Sequence, residues 1–508
     1  MSLFSRSKKV RAFSNKGHQK TVAKTRRGIY CINEFMNIRR AHFIGIGGVG
    51  MSATAKLLKD SGVIVSGSDE DVYSPVLDFL SEHEIPWTTS YAAENIPADI
   101  DLIVIGKNAK LVPETNEEVA TAYSLGVKVM SFPEVLGELS RDKETIVVVG
   151  SYGKSTVTAL LAHCMERENA DHSFFIGAIP YTPSTSAKTG TGKFFVLEGD
   201  EYPSSNTDPR SKFLLMHPSH LLVTPLAHDH FNVFPTPEDY LKPFAELVTL
   251  LPENGVVAVC TEGALSGAFI NACRTPVKRV VTYGLSKGDF RAANIEWGET
   301  TSFDITYKGE IIVCVETTQL GEHSIQNIVG AAAIFFTIDI TDPKKFAESI
   351  SSFKGLRRRL DKKSDRTSVP IFEGFGSSYE KAKSAIAAMR RHFPERRLIV
   401  VFEPHTFGWR NRASLLSYDD VFRDAEIVML LKPQEHGRGN QEEASFDEIA
   451  ERIKRHTKNT FAHETGEECL AALDENMRSD DCVLLLSSGP MAGLARLIPE
   501  LAERKFPK

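Results

Sequence analysis

The chain has 508 residues, of which 42% are hydrophobic and 25% charged, and 60 Lys and Arg against 66 Asp and Glu give a net charge of −6. This composition excludes collagen-like, coiled-coil and wholly disordered chains, and the charge balance gives no support to a general nucleic-acid-binding role. No run approaches the roughly 18 apolar residues that a membrane span needs, and the length predicts about three domains.

Residues 1–40 differ from the rest of the chain. They contain eleven Lys or Arg and one acidic residue, Glu34. Because they lack an apolar core segment, they do not form a secretory signal, but a transit peptide and a tail that binds acidic partners stay open. A flexible extension, or translation that begins at Met36, is favoured over both.

The first predicted domain spans residues 41–143 and opens with a strand over 41–44 and a helix over 51–60. The glycines of the turn between them are Gly45, Gly47, Gly48 and Gly50. Such a Gly-x-Gly-x-x-Gly turn lets a phosphate approach the helix N-terminus, where free N–H groups favour anions. Asp69 ends the next apolar run and is placed to meet a ribose hydroxyl. Taken alone the motif indicates a dinucleotide, and the alternative is a glycine turn that serves packing only.

The second predicted domain, residues 144–352, opens with an apolar strand over 145–149 and a helix that ends near residue 168. The loop between them consists of Gly150, Ser151, Tyr152, Gly153, Lys154, Ser155 and Thr156. Backbone N–H groups of such a loop surround phosphate oxygens, Lys154 supplies positive charge, and a hydroxyl can ligate Mg²⁺. The loop predicts a nucleoside triphosphate site, although Val148 stands where the usual P-loop has its first glycine. A chance Gly–Lys turn is the alternative.

Two groups of polar residues follow further strands of this domain. The strand 194–197 leads to Glu198, Asp200 and Glu201, and the strand 221–224 leads to His228, Asp229 and His230. Carboxylates at the end of a strand beside a P-loop are placed to hold Mg²⁺, which prefers oxygen ligands. A solvated turn and a structural histidine are the alternatives, but two such groups together favour metal and phosphoryl chemistry.

The third predicted domain covers residues 353–508. Strands over 398–402, 425–431 and 482–486 alternate with amphipathic helices such as 379–391. This alternation predicts a parallel sheet that is covered on both faces. The predicted fold class is therefore α/β with three domains, the first and third Rossmann-like and the central one a P-loop ATPase domain.

These motifs resemble those of the Mur ligases, ATP-dependent enzymes that join amino acids or peptides to a UDP-linked muramic acid. The resemblance covers residue 41 to the C-terminus and is carried by residues 42–52, 150–156, 321–327 and 357–359. It implies that the first glycine turn holds the diphosphate of a UDP-sugar rather than NAD. Within the family, residues 68–75, 198–202 and above all 208–213 are similar to the murein peptide ligase branch, which attaches a recycled tripeptide to UDP-N-acetylmuramate.

The resemblance implies a reaction through an acyl phosphate, in which the carboxylate of UDP-N-acetylmuramate attacks ATP and an acceptor amine then displaces phosphate. The expected catalytic residues are Lys154, Glu198 and His230, and the expected Mg²⁺ ligands are Ser155, Thr156, Glu201 and His230, with Glu201 preferred. His323 and Asn327 are expected at the base of ATP, and Arg358 and Arg359 at its phosphates. The expected partners are UDP-N-acetylmuramate, ATP and a peptide or amino acid. Seven scattered cysteines fit a reduced, cytoplasmic protein.

One segment departs from the family. Where Mur ligases have Asp-Asp-[Phe/Tyr]-[Ala/Gly]-His-His-Pro, this chain reads Glu373-Gly374-Phe375-Gly376-Ser377-Ser378-Tyr379, so both histidines are missing. Either the acceptor differs or catalytic power is reduced. The leading hypothesis is a peptide-recycling ligase, and the alternatives are a biosynthetic L-alanine ligase and a nucleotide-binding pseudoenzyme. The retained Lys154 and carboxylates favour an active enzyme.

Overall fold

The computed structural model describes residues 37–230, 233–273, 279–433, 443–457 and 459–508. The basic extension predicted over 1–40 falls almost wholly outside these residues, as does Cys31. Residues 39–508 form one compact unit that contains three β-sheets. In this described part of the chain, no helix is long and apolar enough to cross a bilayer.

The first sheet has five parallel strands in the order β3-β2-β1-β4-β5. The strands are β1 (Arg40–Ile44), β2 (Ile64–Ser68), β3 (Trp87–Thr88), β4 (Leu102–Ile105) and β5 (Lys128–Met130). The helices are α1 (Val49–Asp60), α2 (Val76–Glu82), α3 (Glu117–Ser124) and α4 (Phe132–Ser140), with a 3₁₀ turn at Ala93–Asn95. The glycine turn follows the central strand β1, at the carboxyl edge where α/β sheets bind ligands.

The second sheet has ten strands in the order β15-β14-β13-β12-β11-β10-β6-β9-β7-β8, and only the pairings of β14 and β8 are antiparallel. The strands are β6 (Glu144–Val149), β7 (Ser173–Phe175), β8 (Ala187–Lys188), β9 (Phe194–Glu198), β10 (His220–Val223), β11 (Val256–Cys260), β12 (Arg279–Gly284), β13 (Phe290–Glu296), β14 (Thr301–Tyr307) and β15 (Glu310–Thr317). The helices are α5 (Lys154–Arg167), α6 (Pro237–Thr249), α7 (Ser266–Cys273), α8 (Glu322–Thr337) and α9 (Pro343–Ser352), with a 3₁₀ turn at Lys212–Leu215. Because β6 lies between β9 and β10, the segments that follow these three strands meet at one edge.

The third sheet has six strands in the order β16-β17-β21-β18-β19-β20, and β16 is its antiparallel edge strand. The strands are β16 (Arg359–Lys362), β17 (Ile371–Gly374), β18 (Arg397–Phe402), β19 (Ile427–Leu431), β20 (Thr460–His463) and β21 (Asp481–Leu486). The helices are α10 (Tyr379–His392), α11 (Phe407–Arg410), α12 (Phe446–His456), α13 (Gly466–Asn476) and α14 (Leu494–Lys505), with 3₁₀ turns at Arg412–Asp419 and Met491–Gly493. The parallel strands predicted for this domain are present within two residues of their predicted bounds.

The first two domains share an apolar core, in which Leu57 and Leu136 of the first domain pack with Phe175 and Phe213 of the second. The third domain instead has two apolar clusters largely of its own. Hydrogen bonds tie it to the second domain, among them Tyr181 to Asp361 (2.7 Å) and the Gly321 N–H to His392 (2.8 Å). The core therefore fixes the first two domains against each other more firmly than it fixes the third.

Candidate functional site

Two cavities lie beside the glycine loops of the first two domains. The first, of about 340 Å³, lies between the first and second domains, and the second, of about 620 Å³, lies between the phosphate-type loop and the third domain. Gly177, Glu198 and Asp200 line both cavities. Reactive groups of two ligands, one in each cavity, can therefore meet beside Glu198.

The glycine turn of the first domain forms one wall of the first cavity, through Gly45, Gly48 and Gly50. The Gly47 N–H donates to Asp69 Oδ2 (2.7 Å), and the Tyr91 hydroxyl donates to Oδ1 of the same carboxylate (3.1 Å). A Cβ atom on Gly47 would lie 2.8 Å from Asp69 Oδ2, so this approach requires glycine. Asp69 lines the cavity but also holds the turn, and its contact with a ribose stays a prediction.

Two lysines bring positive charge to the first cavity, and one of them belongs to no motif that the sequence offered. Lys212 Nζ pairs with Asp200 Oδ2 (2.5 Å), and Lys107 Nζ lies 5.1 Å from the centroid of the Tyr202 ring. Burial and the nearby Lys212 lower the pKa of Lys107. An anionic ligand in this cavity would offset the repulsion between the two ammonium groups.

The phosphate-type loop follows β6 and begins α5. Gly153 has φ +89°, and a Cβ atom on it would lie 2.6 Å from Asn327 Oδ1. Lys154 Nζ donates to the carbonyl of Gly150 (2.6 Å) and to Glu201 Oε2 (2.9 Å). Burial acts to lower the pKa of Lys154, but the Glu201 carboxylate and its acidic neighbours outweigh it and raise the pKa. The lysine is therefore held charged beside the loop.

The remaining residues of the phosphate-type loop either anchor the loop or line the second cavity. Ser151 Oγ donates to the carbonyl of Ala227 (2.7 Å) and accepts from its N–H (2.8 Å), which pins the loop to the segment after β10. Tyr152, Ser155 and Thr156 line the second cavity. Of the seven residues that the sequence proposed for a phosphate loop, six line this cavity, and only Gly150 does not.

Glu198 ends β9 at the junction of the two cavities. It accepts from Ser155 Oγ (2.8 Å) and from the Gly177 N–H (2.6 Å). Burial raises its pKa. In the described part of the chain no group of three or more His, Cys, Asp or Glu is arranged to hold a metal by itself. Since Mg²⁺ is commonly bound by one or two carboxylates together with substrate phosphates and water, the oxygen donors of Glu198 and Ser155 fit it.

The expectation that Glu201 ligates the metal does not fit this arrangement. Its side chain is fully buried, forms ion pairs with Lys154 (2.9 Å) and His230 (3.2 Å), and lines neither cavity among the described residues. Burial opposes its ionisation, but Lys154 and His230 lower its pKa. The hydrogen bond to Glu201 is the main cause that raises the pKa of His230, which does line the second cavity. Glu201 therefore orients two positive groups.

Helix α8 brings His323 and Asn327 to the second cavity, and their contact with the base of ATP stays a prediction. Asn327 packs against Gly153, so it lies at the phosphate loop rather than at a distant base pocket. The sequence did not single out Gln326, which also lines this cavity and donates to Glu262 (2.9 Å).

The two arginines proposed for the third domain differ in their surroundings. Arg359 lines the second cavity. Arg358 does not fit the predicted phosphate contact, because its Nη2 donates to the carbonyls of Ser487 (2.9 Å) and Gly489 (2.8 Å). Its Nε lies 3.2 Å from Glu373, a buried carboxylate that also pairs with Lys363 (2.7 Å). The carboxylate that survives in the divergent segment therefore stabilises the third domain.

Known proteins share this architecture. Residues 40–144 match the Mur ligase family catalytic domain, 148–335 the Mur ligase middle domain, and 358–489 the Mur ligase glutamate ligase domain. The UDP-N-acetylmuramate–L-alanine ligase of Geobacter sulfurreducens is 31% identical over 456 residues, which cover 89% of this chain and 95% of that protein. The chain belongs to the Mur ligase family. It is an ATP-dependent ligase that forms amide bonds, and the predicted family and fold class are confirmed.

Two solved structures are similar to this Mur ligase. The UDP-N-acetylmuramate–alanine ligase of Thermotoga maritima superposes with a TM-score of 0.74 at 20% identity, covering 92% of this chain and 99% of that one, and so supports the fold. The murein peptide ligase of Neisseria meningitides has a TM-score of 0.56 at 27% identity, covering 63% of this chain and all of that one. The predicted peptide-ligase branch is thus a structural neighbour, whereas the similar curated sequences are L-alanine ligases.

Proposed function

We propose that this Mur ligase joins L-alanine to the lactoyl carboxylate of UDP-N-acetylmuramate and converts ATP to ADP and phosphate. The meeting of the two cavities at Glu198 is the observation that carries the proposal, because the reaction needs a carboxylate and a γ-phosphate in contact. The acceptor follows from the curated relatives, which are named as L-alanine ligases. A cytoplasmic location is part of the proposal, and the six described cysteines are free thiols, as is typical of a reducing compartment.

The proposed reaction has two steps, phosphoryl transfer and amide-bond formation. In the first, a carboxylate oxygen attacks the γ-phosphorus, the bond to the β-phosphate oxygen breaks, and ADP leaves. In the second, the amine attacks the acyl carbon, phosphate leaves with the C–O electron pair, and the nitrogen loses a proton. Positive groups aimed at the transferring phosphoryl group stabilise both transition states. Lys154 and His230, held by Glu201, are the groups of the second domain that meet this need.

Mg²⁺ is the cofactor that we infer. Glu198, Ser155 and Thr156 are the residues that would hold it, since all three offer oxygen atoms at the wall of the second cavity. When bound, the ion would neutralise charge on the β- and γ-phosphates. The hydrogen bond from Ser155 to Glu198 keeps both side chains turned toward that wall.

A peptide acceptor is the second candidate. The stretch from Asp208 to Phe213 resembles the peptide-recycling branch, and the murein peptide ligase of Neisseria meningitides is 27% identical over the region it shares with this chain. Lys212, within that stretch, lines the first cavity and pairs with Asp200 at its junction with the second. The stretch therefore contributes directly to the proposed sugar site.

Phosphate release from ATP tests the proposal. The full chain is supplied with Mg²⁺ and UDP-N-acetylmuramate, and L-alanine is compared with L-Ala-γ-D-Glu-meso-diaminopimelate. Release that depends on L-alanine supports the main proposal, and release that depends only on the tripeptide supports the second. Binding of UDP-N-acetylmuramate without phosphate release in either case would contradict both acceptors.

A further inference from the structure

The third domain presents two cations to the second cavity, and both lie beside the ring of Phe375. Lys381, in the first turn of α10, has its Nζ 5.9 Å from the ring centroid, and the guanidinium carbon of Arg359 lies 5.0 Å from it. Both side chains line the cavity opposite the phosphate-type loop. They therefore form the face of this cavity that the third domain contributes.

Lys381 lacks the neutralising partner that neighbouring cations have. No carboxylate of the described residues lies within 4.0 Å of its Nζ, whose hydrogen bond goes to Ser377 Oγ (3.0 Å). By contrast, Arg358 pairs with Glu373, and Lys383, two residues along the same helix, pairs with Asp420 (2.7 Å). A partly buried ammonium group without a carboxylate is costly unless an anion binds to it.

The electrostatic surroundings of Lys381 also indicate that its ammonium group is not fully neutralised by the protein. Burial is the main cause that lowers its pKa, and Arg359 and Lys154 act in the same direction, against the attraction of Asp229 and Glu380. Three cations from two domains thus influence one another across the cavity. Lys154 is already paired with Glu201, so Lys381 and Arg359 are the two cations that a ligand with several negative charges would compensate.

The divergent segment accounts for the position of Lys381. Ser377 and Ser378 stand where the resembling family segment has its two histidines, and Ser377 now accepts a hydrogen bond from Lys381. We propose that Lys381 binds the triphosphate of ATP from the third domain and supplies a donor in place of those histidines. This inference rests on the assignment of the second cavity to ATP.

Calorimetric titration of the full chain with Mg²⁺ and adenylyl imidodiphosphate, an ATP analogue, tests the proposal. Lys381→Ala should weaken binding by roughly tenfold, the size of one charge-assisted hydrogen bond. Lys381→Arg should recover binding to within threefold of the parent. Lys383→Ala, on the exposed side of the same helix, is the matched control and should stay within twofold. The affinity for UDP-N-acetylmuramate should be unchanged in all three variants.

Each other outcome has a defined meaning. Parent-like binding of the analogue by Lys381→Ala overturns the proposal. An equal loss for AMP and the analogue also overturns it, because AMP lacks the β- and γ-phosphates. If Lys381→Ala does not fold, Lys381→Met keeps the apolar stem and takes over the comparison. A parent that binds the analogue but forms no amide bond contradicts only the proposed function, whereas a parent that does not bind it contradicts both.

Discussion

Replacing Gly153 with alanine tests whether the close approach of α8 to the phosphate loop matters for ATP. Gly153 has φ +89°, a conformation that costs an alanine roughly 1–2 kcal/mol. The added Cβ atom would also lie 2.6 Å from Asn327 Oδ1, inside the 3.0 Å below which real Cβ contacts essentially never fall. Either Asn327 or the loop must move, and a displacement near 1 Å at a reacting group can cost about a hundredfold in rate.

Gly62 provides a matched control for the cost of placing an alanine at a positive φ. Its φ is also +89°, but a Cβ atom there would have nothing within 4 Å. Gly62→Ala and Gly153→Ala should therefore both lower the free energy of unfolding, each by roughly 1–2 kcal/mol from the backbone conformation. Only Gly153→Ala should lower kcat/KM for ATP, by about ten- to a hundredfold.

The assay is steady-state phosphate release at saturating UDP-N-acetylmuramate and acceptor, with urea unfolding measured on the same samples. Asn327→Ala and the double variant complete a cycle, and we expect a coupling of at least about 1 kcal/mol because the two side chains compete for one space. If Gly153→Ala keeps kcat/KM for ATP within twofold of the parent, the tight contact has no function and this reasoning is refuted.

Further predictions concern the charged groups of the second cavity. Lys154→Ala should abolish ATP turnover while UDP-N-acetylmuramate still binds, and retained ligation would show that the loop is misassigned. In the phosphate-release assay, Glu198→Gln should lower kcat by a larger factor than it changes the KM for ATP or for UDP-N-acetylmuramate. The reason is that it removes a negative charge where the two cavities meet. Because Glu201 raises the pKa of His230, their ion pair stabilises the fold fully below pH 6.5, the usual value, and this contribution is lost as pH rises through the raised pKa. In urea unfolding, the stability difference between the parent and His230→Gln should therefore be smaller at pH 9 than at pH 6, and an equal or larger difference would contradict the pairing.

The parts of the site that could be predicted best from the sequence are those whose residues lie in one continuous segment. The phosphate loop before α5 and the glycine turn before α1 are single segments whose spacing carries the chemistry, and both lie at cavity walls. Arg358 and Arg359 are adjacent in a run of three arginines, and nothing in that run tells which side chain faces the cleft. The tertiary structure decides this, because Arg358 has φ +62° in the turn before β16 and Arg359 is the first residue of that strand.

Tertiary contacts also decided which carboxylate is exposed to ligands. Glu198 and Glu201 lie three residues apart in one short motif, yet only Glu198 reaches both cavities. Glu201 turns inward because Lys154, nearly fifty residues earlier, and Tyr240 on α6 lie there. Lys107 and Lys381 belong to no sequence motif. Each could be recognised as a candidate site residue only from the structure, where it lines a cavity together with residues of another domain.

The uneven attachment of the three domains bears on the missing histidines. The apolar core shared by the first two domains fixes the first cavity against the phosphate loop. The third domain, joined largely by hydrogen bonds, brings Arg359 and Lys381 to the same cavity. An acyl phosphate survives only if water is excluded until the amine arrives, and we expect closure of the third domain to exclude it. With the phosphate charge met by Arg359 and Lys381, the divergent segment at Ser377 and Ser378 is free to differ in how it receives the amine. We therefore expect its divergence to alter the choice of acceptor more than the use of ATP.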